Sequence, residues 1–223
     1  MELIIILLAL GVVSLSQLIL RNTYSKYKEE GIATNLTGKE VAERILKQNG
    51  LDDIDVVEIY GELSDNFNNS KRRISLSHDI YSGRTVASCA VAAHECGHAC
   101  QYKTGYVPIK IRNMLVPIVN LGNTLGYIVI AISLAASLTK LFTIGIILIS
   151  LALVFQLVTL PCEFDASRRA NKMLLEYGLI TDEEQRGTKK MLKAAAFTYV
   201  AGLMSSILQV LRLVYLFSGR RRD

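Results

Sequence analysis

Four long apolar blocks constrain the possible folds of this sequence more than any other feature. They cover residues 3–20, 115–138, 141–160 and 194–217. At about 1.5 Å per helical residue, each block can cross or nearly cross the roughly 30 Å hydrocarbon core of a bilayer. Because 51% of the 223 residues are hydrophobic while 20% are charged, the charged residues are concentrated between the blocks. The sequence therefore predicts an integral membrane protein, mostly α-helical, with about four transmembrane helices.

The first and last blocks each allow two interpretations. Residues 3–20 form an uncleaved anchor or a signal peptide, and the anchor is favoured because Glu2 replaces the usual basic region and no Ala-x-Ala cleavage site follows. Residues 194–217 form a fourth span or a helix packed partly against the polar part of the chain. Arg212, near the end of that block, has a side chain long enough to reach the membrane surface.

Charge and cysteine content narrow the functional classes. The formal net charge is +5, but no aromatic-basic module or basic recognition helix is present, so nucleic-acid binding is not expected. The four cysteines contain no Cys-x-x-Cys pair, which argues against a thiolate zinc site. We expect all four to be small buried apolar residues: Cys89, Cys96, Cys100 and Cys162.

The polar stretch after the first block begins with helix and strand patterns. Thr37 and Glu40 have the spacing of a capping box, which predicts a helix that stops near Gly50. Alternating polar and apolar residues predict two strands, at 55–60 and 72–77. The apolar residues of the helix fall on one face: Val41, Ala42, Ile45 and Leu46.

Turn-forming residues at 65–70 separate the two predicted strands, so a small sheet, a hairpin, is expected. An edge of this sheet has two possible roles: it pairs with an extended peptide, or it serves only as a scaffold. A helix follows at 84–102. Its small residues form a narrow face that another helix can approach closely: Val86, Ala90, Ala93 and Gly97.

The sequence His94-Glu-Cys-Gly-His98 lies on this predicted helix. Four residues apart, His94 and His98 project from one helix face about one turn apart, so both imidazoles can bind one Zn²⁺. Glu95 is placed to act on a water molecule as a base rather than to bind the metal. Two histidines on an ordinary helix face are the alternative, but that requires chance placement of two of only three histidines. The motif therefore predicts a zinc site of the hydrolytic type.

Two histidines leave zinc one protein ligand short, and two residues compete for that place. Glu163 follows Pro161 in a polar helix predicted to begin directly after the third apolar block, where a carboxylate near the helix N-terminus is favourable. Two predicted spans separate Glu163 from His94, which returns the chain to the same side of the membrane. His78 is the other possible ligand. The structural interpretations are a helix N-terminal carboxylate for Glu163 and an exposed strand-end histidine for His78.

Four stretches carry a resemblance to a known family: the apolar N-terminus, Gly61-Glu-Leu-Ser-Asp65, Ala92-Ala-His-Glu-Cys-Gly-His-Ala99 and Glu163-Phe-Asp-Ala-Ser-Arg-Arg-Ala170. They are similar to the YugP-type neutral zinc metallopeptidases of bacterial membranes, over nearly the whole chain. That family resembles, more distantly, the HtpX-type membrane peptidases, in which a downstream glutamate completes the zinc site. The resemblance implies one zinc ion per chain, bound by His94, His98 and Glu163, with Glu95 as the catalytic base.

The sequence patterns and the resemblance together imply a fold class, and the apolar blocks divide the chain. The fold is α+β, mostly α: an integral membrane zincin-like (gluzincin-like) metallopeptidase with a small sheet beside the motif helix. Residues 22–112 and 161–193 form the two parts of a catalytic domain. Residues 1–21 form the N-terminal transmembrane anchor, 113–160 a transmembrane hairpin, and 194–223 a C-terminal transmembrane helix with a basic tail.

One departure from the HtpX-type pattern concerns the residues around the metal. Those proteins place an aspartate four residues after the ligand glutamate, where this chain has Ser167. Asp165 and Ser167 are therefore both candidates to orient a histidine. The developing oxyanion also needs a hydrogen-bond donor. The candidates, each of which has a structural interpretation as well, are His78, Tyr81, Arg168 and Tyr199.

The predicted function is hydrolysis of peptide bonds in membrane or membrane-associated proteins by a zinc endopeptidase. Its expected partners are a protein or peptide substrate and the lipid bilayer. Glu95 would take a proton from water and deliver it to the leaving amine. The alternative is a non-hydrolytic zinc-binding membrane scaffold or a metal transporter. The blocks at 115–138 and 141–160 contain no Asp, Glu or His, which weighs against transport.

Basic residues predict the orientation in the membrane. The side opposite the predicted catalytic domain has Lys140 and, if the last block spans, the tail arginines, which oppose the trend. The resemblance implies a protein of the bacterial cell (inner) membrane, and the apolar blocks predict that it is multi-pass. The positive-inside rule favours an orientation with the catalytic domain in the cytoplasm. The basic residues on the catalytic side are Arg21, Lys26, Lys28, Lys110, Arg112, Arg168, Arg169, Lys172, Lys189, Lys190 and Lys193.

Overall fold

The computed structural model describes residues 2–136 and 138–220. Over these residues the protein is mostly helical and carries one small three-stranded sheet. The side chains of the predicted basic tail, residues 219–223, lie outside the description. In chain order the elements are α1 (Glu2–Lys28), α2 (Gly38–Gln48), β1 (Asp55–Ile59), β2 (Asn66–Asn68), β3 (Arg73–Ser77), α3 (His78–Tyr81), α4 (Val86–Lys103), α5 (Val107–Ala136), α6 (Thr139–Glu176) and α7 (Glu184–Arg220).

The described chain forms two compact units. The polar unit comprises Leu18–Tyr106 and Cys162–Phe197. The apolar unit comprises Val107–Pro161 together with the described residues up to Gln17 and from Thr198 onward. Helices α1, α6 and α7 therefore each contribute residues to both units.

Helix α2 confirms the predicted capping box. The Glu40 N–H donates to Thr37 Oγ1 (3.2 Å), and the Thr37 N–H donates to the Glu40 carboxylate (2.7 Å). The predicted apolar face of α2 is buried in the main core of the polar unit, where α2 lies against α4. All four cysteines are buried and free, as predicted.

The sheet differs from the predicted hairpin. Its strand order is β1–β3–β2, with β1 parallel to β3 and β2 antiparallel to β3. The predicted turn at 65–70 is wrong in part, because β2 lies inside it. Phe67 of β2 packs edge-on against Tyr102 of α4, with ring centroids 5.6 Å apart. The Asp65 carboxylate accepts hydrogen bonds from Ser77 N (2.7 Å) and Ser77 Oγ (3.1 Å). These tertiary contacts outweigh the turn preference of the neighbouring asparagines.

Four of the described helices, α1, α5, α6 and α7, are long and apolar enough to cross a membrane. Helix α7 runs unbroken through the last apolar block. Helices α5 and α6 approach closely, since a Cβ on Gly145 would lie 3.1 Å from the Gly126 carbonyl oxygen. Small residues permit such packing between membrane helices. Arg212 of α7 donates to Glu2 Oε1 through two nitrogens, at 3.0 and 2.9 Å, so its charge is paired.

The helix that carries Glu163 does not begin at Pro161, and that prediction is wrong. Helix α6 continues through Pro161 to Glu176, so Glu163 lies in the interior of a 38-residue helix. A proline inside a helix removes one backbone hydrogen bond, and membrane-protein helices accommodate this loss by local adjustment and neighbouring groups. The positive end of a helix dipole is therefore not what favours a carboxylate at this position.

Helices α4 and α6 meet backbone to backbone at Gly97. A Cβ built on Gly97 would lie 2.5 Å from the Ala166 carbonyl oxygen, closer than real side chains approach. The close approach of another helix, which the small-residue face of α4 predicts, is thus observed. This contact sets the distance between the motif helix and the helix that carries Glu163.

Gly97→Ala should force these two backbones apart. We expect the Tm of the purified protein in detergent to fall, because overpacking a tight core contact costs about 1–3 kcal/mol. Alanine is intrinsically better than glycine in a helix by about 1 kcal/mol, so helix propensity alone would raise the Tm. Gly11→Ala is the matched control, since nothing lies within 4 Å of its added Cβ. An equal Tm for both variants would contradict the backbone contact.

Candidate metal centre

The cap of α4 sets the direction of the motif helix. Thr85 is the N-cap residue, and its Oγ1 accepts a hydrogen bond from the Ser88 N–H (3.2 Å). The Ser88 hydroxyl donates in turn to the Asp79 carbonyl oxygen (3.2 Å), which attaches the helix start to α3. Most of α4 beyond this cap is buried. The motif histidines therefore lie on a helix that is largely buried in the polar unit.

Three predicted site residues come together where α4 faces α6. His94 Nε2 lies 3.3 Å and His98 Nε2 3.5 Å from Glu163 Oε2. One possible ligand atom from each residue lies within 4.8 Å of the other two. The exposed fractions of the side chains are 14% for His94, 12% for His98 and 2% for Glu163. The group is therefore enclosed, with the imidazoles on its more open side.

The geometry of this group fits a tetrahedral metal ion. Zinc bonds of about 2.0–2.1 Å place neighbouring ligand atoms roughly 3.3 Å apart, close to the observed distances from Glu163 Oε2 to the two imidazole nitrogens. That oxygen is buried and accepts no hydrogen bond from any described residue. A buried carboxylate oxygen without a donor is unfavourable unless a cation neutralises it. Two imidazoles and one carboxylate are a donor set that suits zinc.

Burial and neighbouring charges shift the pKa values of this group in opposite directions. Burial alone would raise the pKa of Glu163, but the two adjacent imidazoles outweigh burial and hold that pKa well below its ordinary value. For His98, burial alone would lower the pKa, whereas the Glu163 and Glu95 carboxylates raise it. The arrangement keeps the Glu163 carboxylate ionised, which is the form that binds a cation.

Glu95 lies beside the group on the same helix. Its pKa is raised above the ordinary value, chiefly by burial, while the charges of His94 and His98 oppose the shift. The Glu163 and Asp65 carboxylates also raise it. Glu95 is therefore a buried carboxyl group close to the three possible ligands but outside their set.

Gln101 supports His98 from the side opposite Glu163. Its amide NH₂ donates to the Cys162 carbonyl oxygen (2.7 Å) and to Asp165 Oδ2 (3.0 Å), so its Oε1 faces His98 Nδ1 (3.0 Å). An acceptor at that place requires the proton on Nδ1, which leaves Nε2 of His98 able to bind a metal. The sequence analysis missed Gln101, and its i, i+3 spacing from His98 is the one local signal that could have found it.

Asp165 and Ser167, both considered for orienting a histidine, contact different partners. Ser167 Oγ lies 3.3 Å from His94 Nδ1, so it contacts a histidine directly. Asp165 instead accepts a hydrogen bond from the side-chain amide of Gln101, which in turn contacts His98. Its carboxylate also accepts hydrogen bonds from Arg168 (2.9 Å) and Arg169 (2.6 Å). Burial alone would raise the pKa of Asp165, but the hydrogen bonds to Arg169 and the amide outweigh it and lower that pKa.

The oxyanion candidates lie in varied surroundings. His78 is 71% exposed and its Nδ1 lies 2.5 Å from Glu58 Oε1, so it does not belong to the three-residue group. Tyr81 is half-buried, with the Lys39 ammonium 5.4 Å from its ring centroid. Tyr199 lies on α7 in the apolar unit. The fourth candidate, Arg168, donates to Asp165, and 77% of its side chain is exposed.

Comparison with known proteins identifies the family of this chain. A family model described as "Putative neutral zinc metallopeptidase" matches residues 2–218. The chain belongs to this family. It is also 36% identical over 215 residues to the curated "Putative membrane protease YugP" of Bacillus subtilis (strain 168), with 96% of each chain covered. No solved structure shows significant similarity to the chain. Family membership confirms the resemblance found in the sequence motifs.

Gln101→Met should weaken zinc binding without removing a ligand. The substitution keeps the length of the side chain but removes the acceptor at His98 Nδ1, and loss of such a partner typically lowers metal affinity about 10–100-fold. Zinc affinity can be measured by competition with a chromophoric chelator, independently of catalysis. Gln48→Met, at an exposed position on α2, is the matched control. Wild-type affinity in Gln101→Met, with an unchanged Tm, would contradict the positioning role.

Proposed function

We propose that this protein is a membrane-anchored, gluzincin-like zinc endopeptidase. The observation that carries the proposal is the buried group of His94, His98 and Glu163, whose possible ligand atoms lie within 4.8 Å of one another. Membership of a zinc metallopeptidase family supports hydrolysis of peptide bonds. The name of the Bacillus subtilis relative supports action at a membrane, as do the four membrane-length helices among the described residues.

Each residue of the centre has a role in this proposal. His94, His98 and Glu163 hold one zinc ion, which when bound supplies the Lewis acidity that polarises the scissile carbonyl and lowers the pKa of water. Glu95 takes a proton from the attacking water and delivers it to the leaving amine. Its raised pKa suits a base that must retain that proton between the two transfers.

The substrate class in this proposal is a membrane or membrane-associated protein, bound in an extended conformation. Strand β2 is an edge strand of the sheet and contacts α4. An edge strand offers backbone N–H and C=O groups to an added strand, so recognition depends little on the substrate's side chains. This mode of binding suits cleavage of unfolded segments rather than of one defined sequence.

Glu95→Gln separates hydrolysis from metal binding. The substitution preserves size but removes the base, so we expect zinc content near one ion per chain and a loss of peptide cleavage of at least about 100-fold. The measurements are zinc stoichiometry by elemental analysis and cleavage of an unfolded membrane protein by purified protein in detergent. Glu43→Gln, at an exposed position on α2, should leave both unchanged.

Glu163→Gln completes this test, because it should lower zinc content as well as cleavage. Chelation of the wild-type protein should abolish cleavage, and added zinc should restore it. Undiminished cleavage by Glu95→Gln would remove Glu95 from the mechanism. Zinc binding by wild-type protein that cleaves no unfolded substrate would favour the non-hydrolytic scaffold instead.

We also propose that the polar unit faces the cytoplasm in the bacterial inner membrane, because basic residues flank the spans on its side. Single cysteines can test this, since the four native cysteines are buried. In spheroplasts, a membrane-impermeant maleimide should label Lys140→Cys directly and Lys47→Cys only after permeabilisation. The reverse pattern would place the polar unit outside the cell.

A further inference from the structure

We propose that an anionic phospholipid binds in a cleft between the C-terminal part of α1 and the start of α7. The cleft has a volume of about 540 Å³ and lies within the polar unit. It is separate from the candidate metal centre, with which it shares no lining residue. Its apolar and uncharged lining residues are Ile19, Asn22, Thr23, Tyr27, Ala194 and Phe197.

Three lysines supply the charge of this cleft: Lys26 from α1 and Lys190 and Lys193 from α7. Lys190 and Lys193 are three residues apart and therefore project from one side of α7. All three side chains are exposed, and none forms an ion pair with any described residue. No acidic residue is part of the described lining. The cleft therefore presents three ammonium groups without an ion-pair partner among the described residues, next to apolar surface. One of them, that of Lys26, lies 5.3 Å from the centroid of the Tyr27 ring, which also lines the cleft.

The position of the cleft in the sequence matches the surface of a bilayer. On α1 it includes Ile19, in the last turn of the apolar block, and Lys26, two turns further along. On α7 it includes Ala194, where the last apolar block begins, and the lysines of the turn before it. Both helices thus change from apolar to basic residues at this cleft. Basic pockets between membrane helices are typical sites for anionic lipid headgroups.

The combination of basic and apolar residues in the lining favours a lipid over a free anion. Inorganic phosphate would satisfy the lysines but would leave the apolar floor exposed to water. A phospholipid satisfies both, because its phosphate faces the ammonium groups while its glycerol and upper acyl carbons cover Ile19 and Phe197, which are each 38% exposed. A zwitterionic lipid carries no net charge and gains less from three lysines.

The test uses full-length protein in a neutral detergent and native mass spectrometry with added phosphatidylglycerol, phosphatidylcholine or inorganic phosphate. Wild-type protein should retain one phosphatidylglycerol in preference to phosphatidylcholine. The variant K26Q/K190Q/K193Q should bind phosphatidylglycerol at least tenfold more weakly, because each lysine near an anionic lipid contributes roughly fivefold in affinity. The charge-matched control K47Q/K71Q/K189Q changes exposed lysines of the polar unit that do not line the cleft, and should bind as wild type does.

Ala194→Phe separates a defined cleft from diffuse attraction, because it fills the space but keeps all three charges, and it should also weaken retention. Three results would overturn the proposal: equal losses in the two triple variants, equal retention of phosphatidylcholine, or displacement of phosphatidylglycerol by millimolar inorganic phosphate. The last result would identify a free-anion site. Because the lysines are exposed, the triple variant should keep the wild-type Tm, so a failure of Ala194→Phe to fold would leave the test intact.

Discussion

Burial of one carboxylate, that of Glu163, is the interaction on which the candidate centre depends. With 2% of its side chain exposed, Glu163 has lost nearly all its hydration, which is unfavourable for a charged group without compensation. Two imidazole nitrogens at 3.3 and 3.5 Å compensate in part, and a bound cation would complete the compensation. Because α4 supplies the histidines and α6 the carboxylate, the centre forms only where these helices meet at Gly97.

A second layer of hydrogen bonds holds this centre in shape. The path from His98 through Gln101 and Asp165 to Arg169 is continuous, with donor–acceptor distances of 3.0, 3.0 and 2.6 Å. Gln101 is fully buried, so its hydrogen bonds form in a low-dielectric interior, where a lost partner is costly. The network also ties α4 to α6 a second time, through the Cys162 carbonyl oxygen. Positioning of the imidazoles therefore depends on the same helix pair that creates the centre.

The apolar unit helps to distinguish hydrolysis from transport. The charged pair that α1 and α7 contribute to it is Glu2 with Arg212, which neutralise each other. An uncharged polar contact in the same unit joins Gln209 Nε2 to Tyr127 Oη (3.4 Å). A metal pathway requires ionisable or carbonyl ligands along its length, whereas the described group of possible metal ligands lies in the polar unit. Among the described residues, the possible metal ligands therefore lie outside the apolar unit, which does not fit a metal pathway through it.

The sequence by itself determined what local patterns encode: the capping box of α2, the apolar faces, the membrane-length helices and the spacing of His94 and His98. These features repeat over a few residues, so helix geometry alone makes them readable. Only the tertiary structure decided the parallel pairing of β1 with β3, the strand β2 inside a predicted turn, the continuity of α6 through Pro161 and the role of Gln101. The strand pairings and the contacts of Gln101 depend on partners far away in the chain. Local sequence does not determine these features, because a turn-forming residue, a proline or a helical glutamine is each compatible with more than one structure.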